Sequence, residues 1–356
     1  VLDPACGSGN FLYLAYRVLK RLERDILLRL RDAGEPHDNL VSAVTPLQLF
    51  GMDVLPTAVE IARVTLTLAK ELEVLEAEKL SDADGLYLPE SPLPLDNLDK
   101  QIQCADALFT EWPKADAIIG NPPYLGAKLL APTHGRDYAD KVRKAFPGVP
   151  GMADFCVYWY RKSHDVLEPG GRAGLVGTQN IRNNNSREGG LGYIVNNDGL
   201  ITDAVSSQVW SGEAAVHVAI VNWVKSPSKV EKVWGATKAP FALTVQRGDS
   251  LDSPWETFEL PAINSSLSFG LDVGAAAELA ANQTPPSVYN GQFPRHHGFV
   301  LTPEEAASMI DDDPRNKEVV RPFLIGAEML THGAPQRWVI DFQKMDQFQA
   351  RTYKKP

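Results

Sequence analysis

The sequence Asn121-Pro122-Pro123-Tyr124 combines residue types that suit chemistry on a planar amine, such as the exocyclic amine of adenine. Each proline fixes its φ angle and lacks a backbone donor, so the loop is stiff and its carbonyl groups stay free to accept hydrogen bonds. If the Asn121 side-chain oxygen and the Pro122 carbonyl accept the two amine protons, charge that builds on the nitrogen is stabilised by dipoles already in place. The ring of Tyr124 could stack on an extruded base. The alternative is an ordinary Pro-Pro turn with a surface tyrosine, which the preceding buried strand disfavours.

A second group of candidate residues lies in a small-residue turn near the start of the sequence. Residues 4–10 contain Gly7 and Gly9 and follow a predicted strand that ends at Asp3. In a doubly wound sheet, ligands bind outside the carboxyl ends of the strands, where glycine lets the backbone approach a cofactor closely. Because any tight turn needs glycine, this pair is weak by itself.

Acidic residues strengthen the prediction of a cofactor site, because three successive strands end in or beside one: Asp3, Asp53 and Asp106. Asp53 is placed to accept hydrogen bonds from ribose hydroxyls, and Asp3 and Asp106 could face the amino-acid and adenine ends of a cofactor. An acid-lined pocket suits a cationic sulfonium better than a pyrophosphate, which favours lysine or a helix N-terminus without nearby carboxylates. Each aspartate alone could equally be a helix cap.

Alternating strand and helix patterns must position these residues. Apolar periodicity predicts one helix from Phe11 and a second from Pro56 to near Leu80, followed by a surface loop over 81–100 and a later helix over 153–167. Predicted strands cover 1–3, 47–53, 102–104, 117–120, 173–177 and 216–224, the last of them near the sheet edge. The alternation predicts an α/β fold with parallel strands joined by helical crossovers.

The composition describes a globular chain of 356 residues, 44% of them hydrophobic, which is long enough for about two domains. No apolar run approaches the roughly 20 residues that cross a bilayer, and no basic-then-apolar leader opens the sequence, so we expect no membrane partner and a cytoplasmic location. Cys6, Cys104 and Cys156 lie far apart and predict neither a disulfide framework nor a metal site.

Charge gives little support for a nucleic-acid partner. The net charge of -10 argues mildly against one, because phosphate binding needs clustered lysine and arginine. Basic residues do gather after the Pro-Pro motif and in a later Asn-rich segment: Lys128, His134, Arg136, Lys141, Arg143, Lys144, Arg182 and Arg187. From charge alone, a solvated face is favoured over a DNA track.

Two motifs resemble those of a known enzyme family. The segment 3–11, from Asp3 to Phe11, looks like the first motif of amino-methylating DNA methyltransferases, and Asn121-Pro122-Pro123-Tyr124 looks like their catalytic motif. In the gamma class of these enzymes, the cofactor motif comes first, the catalytic motif second and the recognition region last. By this resemblance the chain is identified as a member of the gamma-class DNA adenine-N6 methyltransferases of single-chain type II (type IIG, MmeI-like) restriction-modification enzymes.

The resemblance implies a Rossmann-like class I fold with a mostly parallel seven-stranded sheet, S-adenosylmethionine as the cofactor and double-stranded DNA as the partner. It implies catalytic roles for Asn121, Pro122, Pro123 and Tyr124. The residues that it places at the cofactor are Asp3, Ala5, Gly7, Gly9, Asn10, Phe11, Asp53, Val54, Asp106, Ala107 and Asn121. Residues 152–155 match a segment that lines the cofactor pocket. Tyr124 and Trp210 would stack on the target base, although a core tryptophan is an alternative for Trp210.

The expected domains follow from the same comparison. The catalytic domain is expected over 1–225, with its first cofactor motif and any fused nuclease domain lying before Val1. Residues 226–265 are expected to form a linker with bridging strands, and 266–356 the start of a smaller target-recognition domain that is cut short at Pro356. Within this last region, segments 298–305 and 337–342 are similar to the stretch that leads into target recognition in MmeI-like enzymes.

Other functions remain open. A protein-glutamine methyltransferase could present a similar planar nitrogen to the same loop, but such enzymes tend to have a more glycine-rich first turn and little sequence after the catalytic domain. Cytosine-N4 methylation more often pairs with serine in place of Asn121. A non-catalytic DNA-binding or scaffold subunit would be expected to have lost some of Asn121, Tyr124, Gly7, Gly9 and Asp53, all of which are present.

Overall fold

A computed structural model of the chain describes residues 1–36, 42–84, 98–210, 217–226, 240–248, 250–270, 294, 296–331, 333–342 and 345–353. The chain divides into two compact units, Val1–Ala276 and Ala277–Pro356. The first unit holds all the residues expected at the active site. Of the surface loop expected over 81–100, residues 81–84 are helical instead, and residues 85–97 lie outside the described residues, as do residues 211–216.

The first unit is built on one sheet, which has nine strands among the described residues. These are β1 (Leu2–Asp3), β2 (Phe50–Asp53), β3 (Ile102–Cys104), β4 (Ala117–Gly120), β5 (Arg172–Thr178), β6 (Gly199–Val209), β7 (His217–Lys225), β8 (Phe241–Gln246) and β9 (Trp255–Leu260). Their order across the sheet is β3-β2-β1-β4-β5-β7-β6-β8-β9. The described sheet therefore has nine strands where seven were expected, because β8 and β9 continue it beyond β6.

Strand directions decide which strand ends share an edge. Strands β3, β2, β1, β4 and β5 pair in parallel. Strand β7 is antiparallel to both β5 and β6, and β6 is parallel to β8. All strands except β7 and β9 therefore end at the same edge of the sheet, which confirms the mostly parallel α/β fold.

The position predicted for the last strand was wrong. Strand β7, expected near the sheet edge, lies inside the sheet between β5 and β6. The sequence did not predict β6, because Thr202, Asp203 and the polar residues 206–208 interrupt its apolar pattern. Strands β8 and β9 lie within 226–265, the range expected to form a linker with bridging strands.

Helices connect most of the consecutive parallel strands, but among the described residues none lies between β3 and β4. In the first unit they are α1 (Asn10–Asp32), α2 (Pro56–Asp84), α3 (Ala127–His134), α4 (Arg136–Ala145), α5 (Val157–Val166), α6 (Asn184–Arg187) and α7 (Tyr193–Asn196). Helix α5 begins four residues later than the predicted 153–167, because Asp154 is engaged elsewhere. Its carboxylate oxygen Oδ2 accepts hydrogen bonds from Thr178 Oγ1 at 2.7 Å and from Asn180 Nδ2 at 3.3 Å.

The buried face of α1 differs from the apolar residues that predicted the helix. Leu12 and Tyr16 are fully buried. Four other apolar residues, whose helical spacing contributes to the prediction of this helix, are exposed: Leu14 to 59%, Val18 to 61%, Leu22 to 53% and Ile26 to 49%. Because both sets recur every four residues, the period predicts a helix without deciding which face meets the core.

The second unit contains a three-stranded antiparallel sheet with the order β10-β12-β11, made of Val300–Leu301, Arg337–Ile340 and Val320–Phe323. Its helices are α8 (Pro303–Asp312), α9 (Gly326–Thr331) and α10 (Gln347–Ala350). Thr302 caps α8 through its side chain, which accepts a hydrogen bond from the Glu305 backbone N–H at 3.2 Å. The two segments that resembled the approach to a recognition domain pair with each other here, with Val300 opposite Val339.

Candidate active site

The Asn-Pro-Pro-Tyr loop follows β4 directly and is held at both ends. The hydroxyl group of Tyr124 donates a hydrogen bond to the side-chain oxygen of Asn121. The Phe155 backbone N–H donates to the Leu125 carbonyl at 2.9 Å. Pro122 is buried and Pro123 is exposed. Burial raises the pKa of the Tyr124 phenol above its ordinary value, so the hydroxyl stays protonated and remains a donor.

The glycine turn packs tightly against α2 and the end of β2. Gly9 has a φ of +84°, and a Cβ at this position would lie 3.0 Å from the Ala62 Cα, so only glycine fits both the conformation and the space. The Gly7 backbone N–H donates to Asp53 Oδ2 at 3.0 Å, and the Leu55 backbone N–H donates to Asp53 Oδ1 at 2.9 Å. Asp53 therefore fixes the turn and the start of the next loop together.

Asp3 connects the glycine turn to the strand that carries the catalytic loop. Its side chain is buried, and Oδ1 accepts a hydrogen bond from the Ala5 backbone N–H at 3.0 Å. A Cβ placed on Gly120 would lie 2.7 Å from the same oxygen, so the absence of a side chain at Gly120 makes room for the carboxyl group. Burial, reinforced by the charge of Asp53, raises the pKa of Asp3 to about 7.

A cavity of about 320 Å³ joins the two motifs. Its size falls in the range typical of small-molecule sites. The expected site residues that line it are Ala5, Asp53, Val54, Asp106, Ala107, Asn121 and Pro123. The expected residues that do not line it are Asp3, Gly7, Gly9, Asn10, Phe11, Pro122, Tyr124 and Trp210. Of these, Asp3 and Gly7 act through the contacts just described, whereas Trp210 is half-buried directly after β6.

An aromatic wall completes the cavity, formed by His134, Tyr138, Phe155 and Trp159. The rings of Phe155 and Trp159 meet edge to face at 5.0 Å, and those of His134 and Tyr138 lie 5.2 Å apart. The Tyr138 hydroxyl donates to Asp106 Oδ2 at 3.0 Å. The Trp159 indole N–H donates to the Pro4 carbonyl at 3.0 Å.

Sequence reasoning found only part of this wall. Phe155 lies in the segment that the family resemblance placed at the cofactor pocket. The sequence places His134 only in a basic cluster and gives no signal for Tyr138 or Trp159. No local pattern marks the last two, because Tyr138 lies 32 residues from its partner Asp106 and Trp159 lies 155 residues from its partner Pro4.

Lys162 holds the loop that follows Asp106. Its ammonium group donates to three backbone carbonyls, those of Ala107 at 2.7 Å, Leu108 at 3.3 Å and Thr110 at 2.7 Å. Partial burial lowers the pKa of Lys162 to about 8, while the charge of Asp106 acts in the opposite direction. Lys162 is therefore a positioning residue for one side of the cavity.

The charge of the cavity favours a cationic ligand. Two carboxylates line it, those of Asp53 and Asp106, and the described lining includes neither lysine nor arginine. The neighbouring basic residues are directed elsewhere: the Lys141 ammonium group lies 3.7 Å from the centre of the Phe109 ring, and Arg143 pairs with Asp140 at 3.3 Å. Within the described residues there is also no group of three or more metal-ligating side chains, and no helix has the length and apolarity to cross a membrane.

Known proteins similar to this chain include DNA methyltransferases. DNA methyltransferase A of Bacillus subtilis (strain 168) is 32% identical over 167 residues, which cover 44% of this chain and 18% of that protein. The type II methyltransferase M.XhoI of Xanthomonas vasicola is 25% identical over 228 residues, covering 62% of this chain and 36% of that protein. The chain thus spans well under two thirds of the length of either relative.

A solved structure shows the fold. The type IIL restriction-modification enzyme MmeI, in complex with DNA, matches 99% of this chain and 46% of its own with a TM-score of 0.68 and 24% sequence identity. The chain thus shares the fold of that enzyme, an α/β fold with a mostly parallel central sheet. A sequence model described as "MmeI, DNA-methyltransferase domain" matches residues 1–234 of the 356. The chain therefore belongs to the MmeI DNA-methyltransferase domain family.

Proposed function

We propose that this chain is the catalytic part of an S-adenosylmethionine-dependent DNA adenine-N6 methyltransferase that serves a restriction-modification system. The observation that carries the proposal is the single cavity that Asn121 and Pro123 share with Ala5, Asp53 and Asp106. Membership of the family, and the similarity to DNA methyltransferase A of Bacillus subtilis, support DNA as the substrate.

The lining residues fit this cofactor. Asp53 accepts one backbone hydrogen bond at each carboxylate oxygen, which leaves lone pairs for ribose hydroxyls. Asp106 and the aromatic wall suit an adenine ring, which offers both an amino group and a flat apolar face. When bound, S-adenosylmethionine supplies an electrophilic methyl group on a cationic sulfur, and the two carboxylates suit that positive charge.

The catalytic loop suits the target amine. The Asn121 side-chain oxygen has two lone pairs, one of which accepts from Tyr124, so the second is free for an amine proton. The Pro122 carbonyl offers a second acceptor on a backbone that two prolines make rigid. Both dipoles are oriented before the base arrives, so charge on the amine nitrogen is stabilised without reorganisation. Tyr124, and Trp210 by family resemblance, would hold the extruded base by stacking.

Product analysis tests this proposal. The intact protein is incubated with methyl-labelled S-adenosylmethionine and duplex DNA of mixed sequence. The DNA is then digested to nucleosides, which are separated by liquid chromatography and identified by mass spectrometry. The proposal expects label in N6-methyladenine. Label in N4-methylcytosine would overturn the base assignment, and label in glutamine side chains of added protein but not in DNA would favour the protein-methylating alternative.

A further inference from the structure

A second polar cavity lies at the same edge of the sheet as the candidate active site. It has a volume of about 430 Å³ and lies where β5, β6 and β8 end and β7 begins. Its lining includes Gln179 and Arg182 after β5, Ser206 and Ser207 near the end of β6, His217 at the start of β7 and Arg247 after β8. The mechanism proposed above uses none of these residues.

Arg182 is the group that this cavity leaves unsatisfied. The side chain is half-buried, and its Nη1 donates to the Ser206 hydroxyl at 2.5 Å. Its Nε is buried and has no hydrogen-bond partner among the described residues, where no carboxylate pairs with this guanidinium. Burial accordingly lowers the pKa of Arg182. A half-buried cation without a counter-charge is costly, and an anionic ligand would offset that cost.

The rest of the lining also favours an anion. Neither aspartate nor glutamate is among its described residues. Arg247 brings a second cation, which pairs with Glu256 at 2.7 Å and lies 5.2 Å from the centre of the Phe269 ring. Gln179, Ser206 and Ser207 add uncharged polar groups. Arginine, serine and glutamine side chains make many of the contacts that proteins form with DNA phosphates.

We propose that this cavity takes a phosphodiester group of the DNA backbone, with Arg182 as its principal ligand. The proposal rests on the proposed function, because DNA must reach the strand-end edge if Asn121 is to meet a base there. A charge-assisted hydrogen bond from the guanidinium to a phosphate would fix the register of the duplex without reading its sequence. The charge pattern of the sequence favours a solvated face for Arg182. Its position in a cavity distinguishes it from an ordinary surface arginine.

The salt dependence of DNA binding measures this contact. Fluorescence anisotropy of labelled duplexes, bound by the intact protein over a series of salt concentrations, gives the slope of log K against log salt. Each phosphate contact contributes about 0.9 to that slope in B-DNA. We expect Arg182→Gln to reduce the slope by about 1 and to weaken binding roughly tenfold, equally for duplexes of different sequence. Arg182→Lys, which keeps the charge, should retain the slope.

Arg172 provides the matched control, because it is exposed at the opposite end of β5. Arg172→Gln should leave the slope unchanged, and calorimetric titration should show unchanged S-adenosylmethionine binding in every variant. If Arg182→Gln does not fold, Ser207→Asp tests the same cavity: its carboxylate should neutralise the arginine and weaken DNA binding.

Several results would overturn the assignment. One is a wild-type slope in folded Arg182→Gln, and another is wild-type DNA affinity in Ser207→Asp. Arg182-dependent binding of inorganic phosphate, with no change in the DNA salt slope, would make the cavity a small-anion site. These failures are distinct from failure of the proposed function, which would appear as a wild-type protein that binds DNA but does not methylate it.

Discussion

The backbone N–H of Gly7 donates a hydrogen bond to Oδ2 of Asp53 at 3.0 Å, across 46 residues of sequence. This contact joins the glycine turn after β1 to the acid at the end of β2. A carboxylate that accepts from backbone donors is held in one orientation, so Asp53 is positioned before any ligand binds. The same residue therefore shapes the turn and is proposed to bind ribose.

Replacement of Asp53 should weaken cofactor binding. Asp53→Ala removes both the proposed ribose acceptor and the partner of the Gly7 N–H, and we expect the Kd for S-adenosylmethionine to rise roughly 10- to 100-fold. Isothermal titration calorimetry on the intact protein measures it. Asp140→Ala removes an exposed carboxylate on α4 and serves as the control. An unchanged Kd for Asp53→Ala would refute the ribose contact.

Lys162 should act on cofactor affinity rather than on chemistry. Lys162→Met keeps much of the side-chain volume but loses the hydrogen bonds to the carbonyls of Ala107, Leu108 and Thr110. We expect the KM for S-adenosylmethionine to rise several-fold while kcat changes little, and Lys162→Arg to recover part of the loss. A fall in kcat with an unchanged KM in steady-state methylation assays would contradict a positioning role.

The buried carboxyl of Asp3 should make stability depend on pH. Its pKa is raised from 3.8 in the unfolded chain to about 7 in the folded protein, so the folded state binds this proton more tightly. The contribution to stability is complete below about pH 4 and is lost as the pH rises through 7. We therefore expect Asp3→Asn to flatten the fall in unfolding free energy between pH 4 and 8, a difference on the order of a few kcal/mol.

Urea denaturation across that pH range measures the effect. Asp25→Asn, at an exposed position on α1, provides the control and should follow the wild-type profile. If Asp3→Asn also follows the wild-type profile, the carboxyl does not titrate with the raised pKa.

Two substitutions at Tyr124 separate its ring from its hydroxyl. Stacking of a base on an aromatic ring contributes roughly 1–3 kcal/mol, so Tyr124→Ala should lower kcat/KM for DNA roughly 10- to 100-fold. Tyr124→Phe keeps the ring and frees an acceptor on Asn121, so it should retain most activity. An equal loss of kcat/KM in the two variants would show that activity depends on the Tyr124 hydroxyl group rather than on stacking of the base.

The parts of this molecule that the sequence predicted are those encoded locally. Asp53 is the last residue of β2 and Gly7 lies four residues after β1, and parallel strands end at one edge, so their contact could be inferred from chain order. The stiffness of the Pro122-Pro123 loop is likewise a property of the residues themselves.

The remaining features depend on contacts between distant residues. Tyr138 donates to Asp106 from a helix that carries no recognisable motif. Lys162 is one polar residue among several on its helix, and its role becomes clear only from its hydrogen bonds to the carbonyls of Ala107 and Thr110. The sequence does not predict β6, because its polar residues Ser206 and Ser207 line the second cavity and its pairing with β7 is interrupted by bulges, so no alternating apolar face results. The apolar period of α1 could not identify its buried face, because the helix carries apolar residues on both sides.

Methyl transfer by the Asn121→Ala variant tests the proposed role of the 121–124 loop most directly. The intact variant and the wild type are compared for N6-methyladenine formation on the same duplex DNA, with S-adenosylmethionine binding measured in parallel by calorimetry. Loss of one preorganised acceptor is expected to lower kcat by about 100- to 1,000-fold, while the Kd for the cofactor changes much less. N6-methyladenine formation at the wild-type rate by this variant would contradict the central claim that the loop at 121–124 activates the target amine.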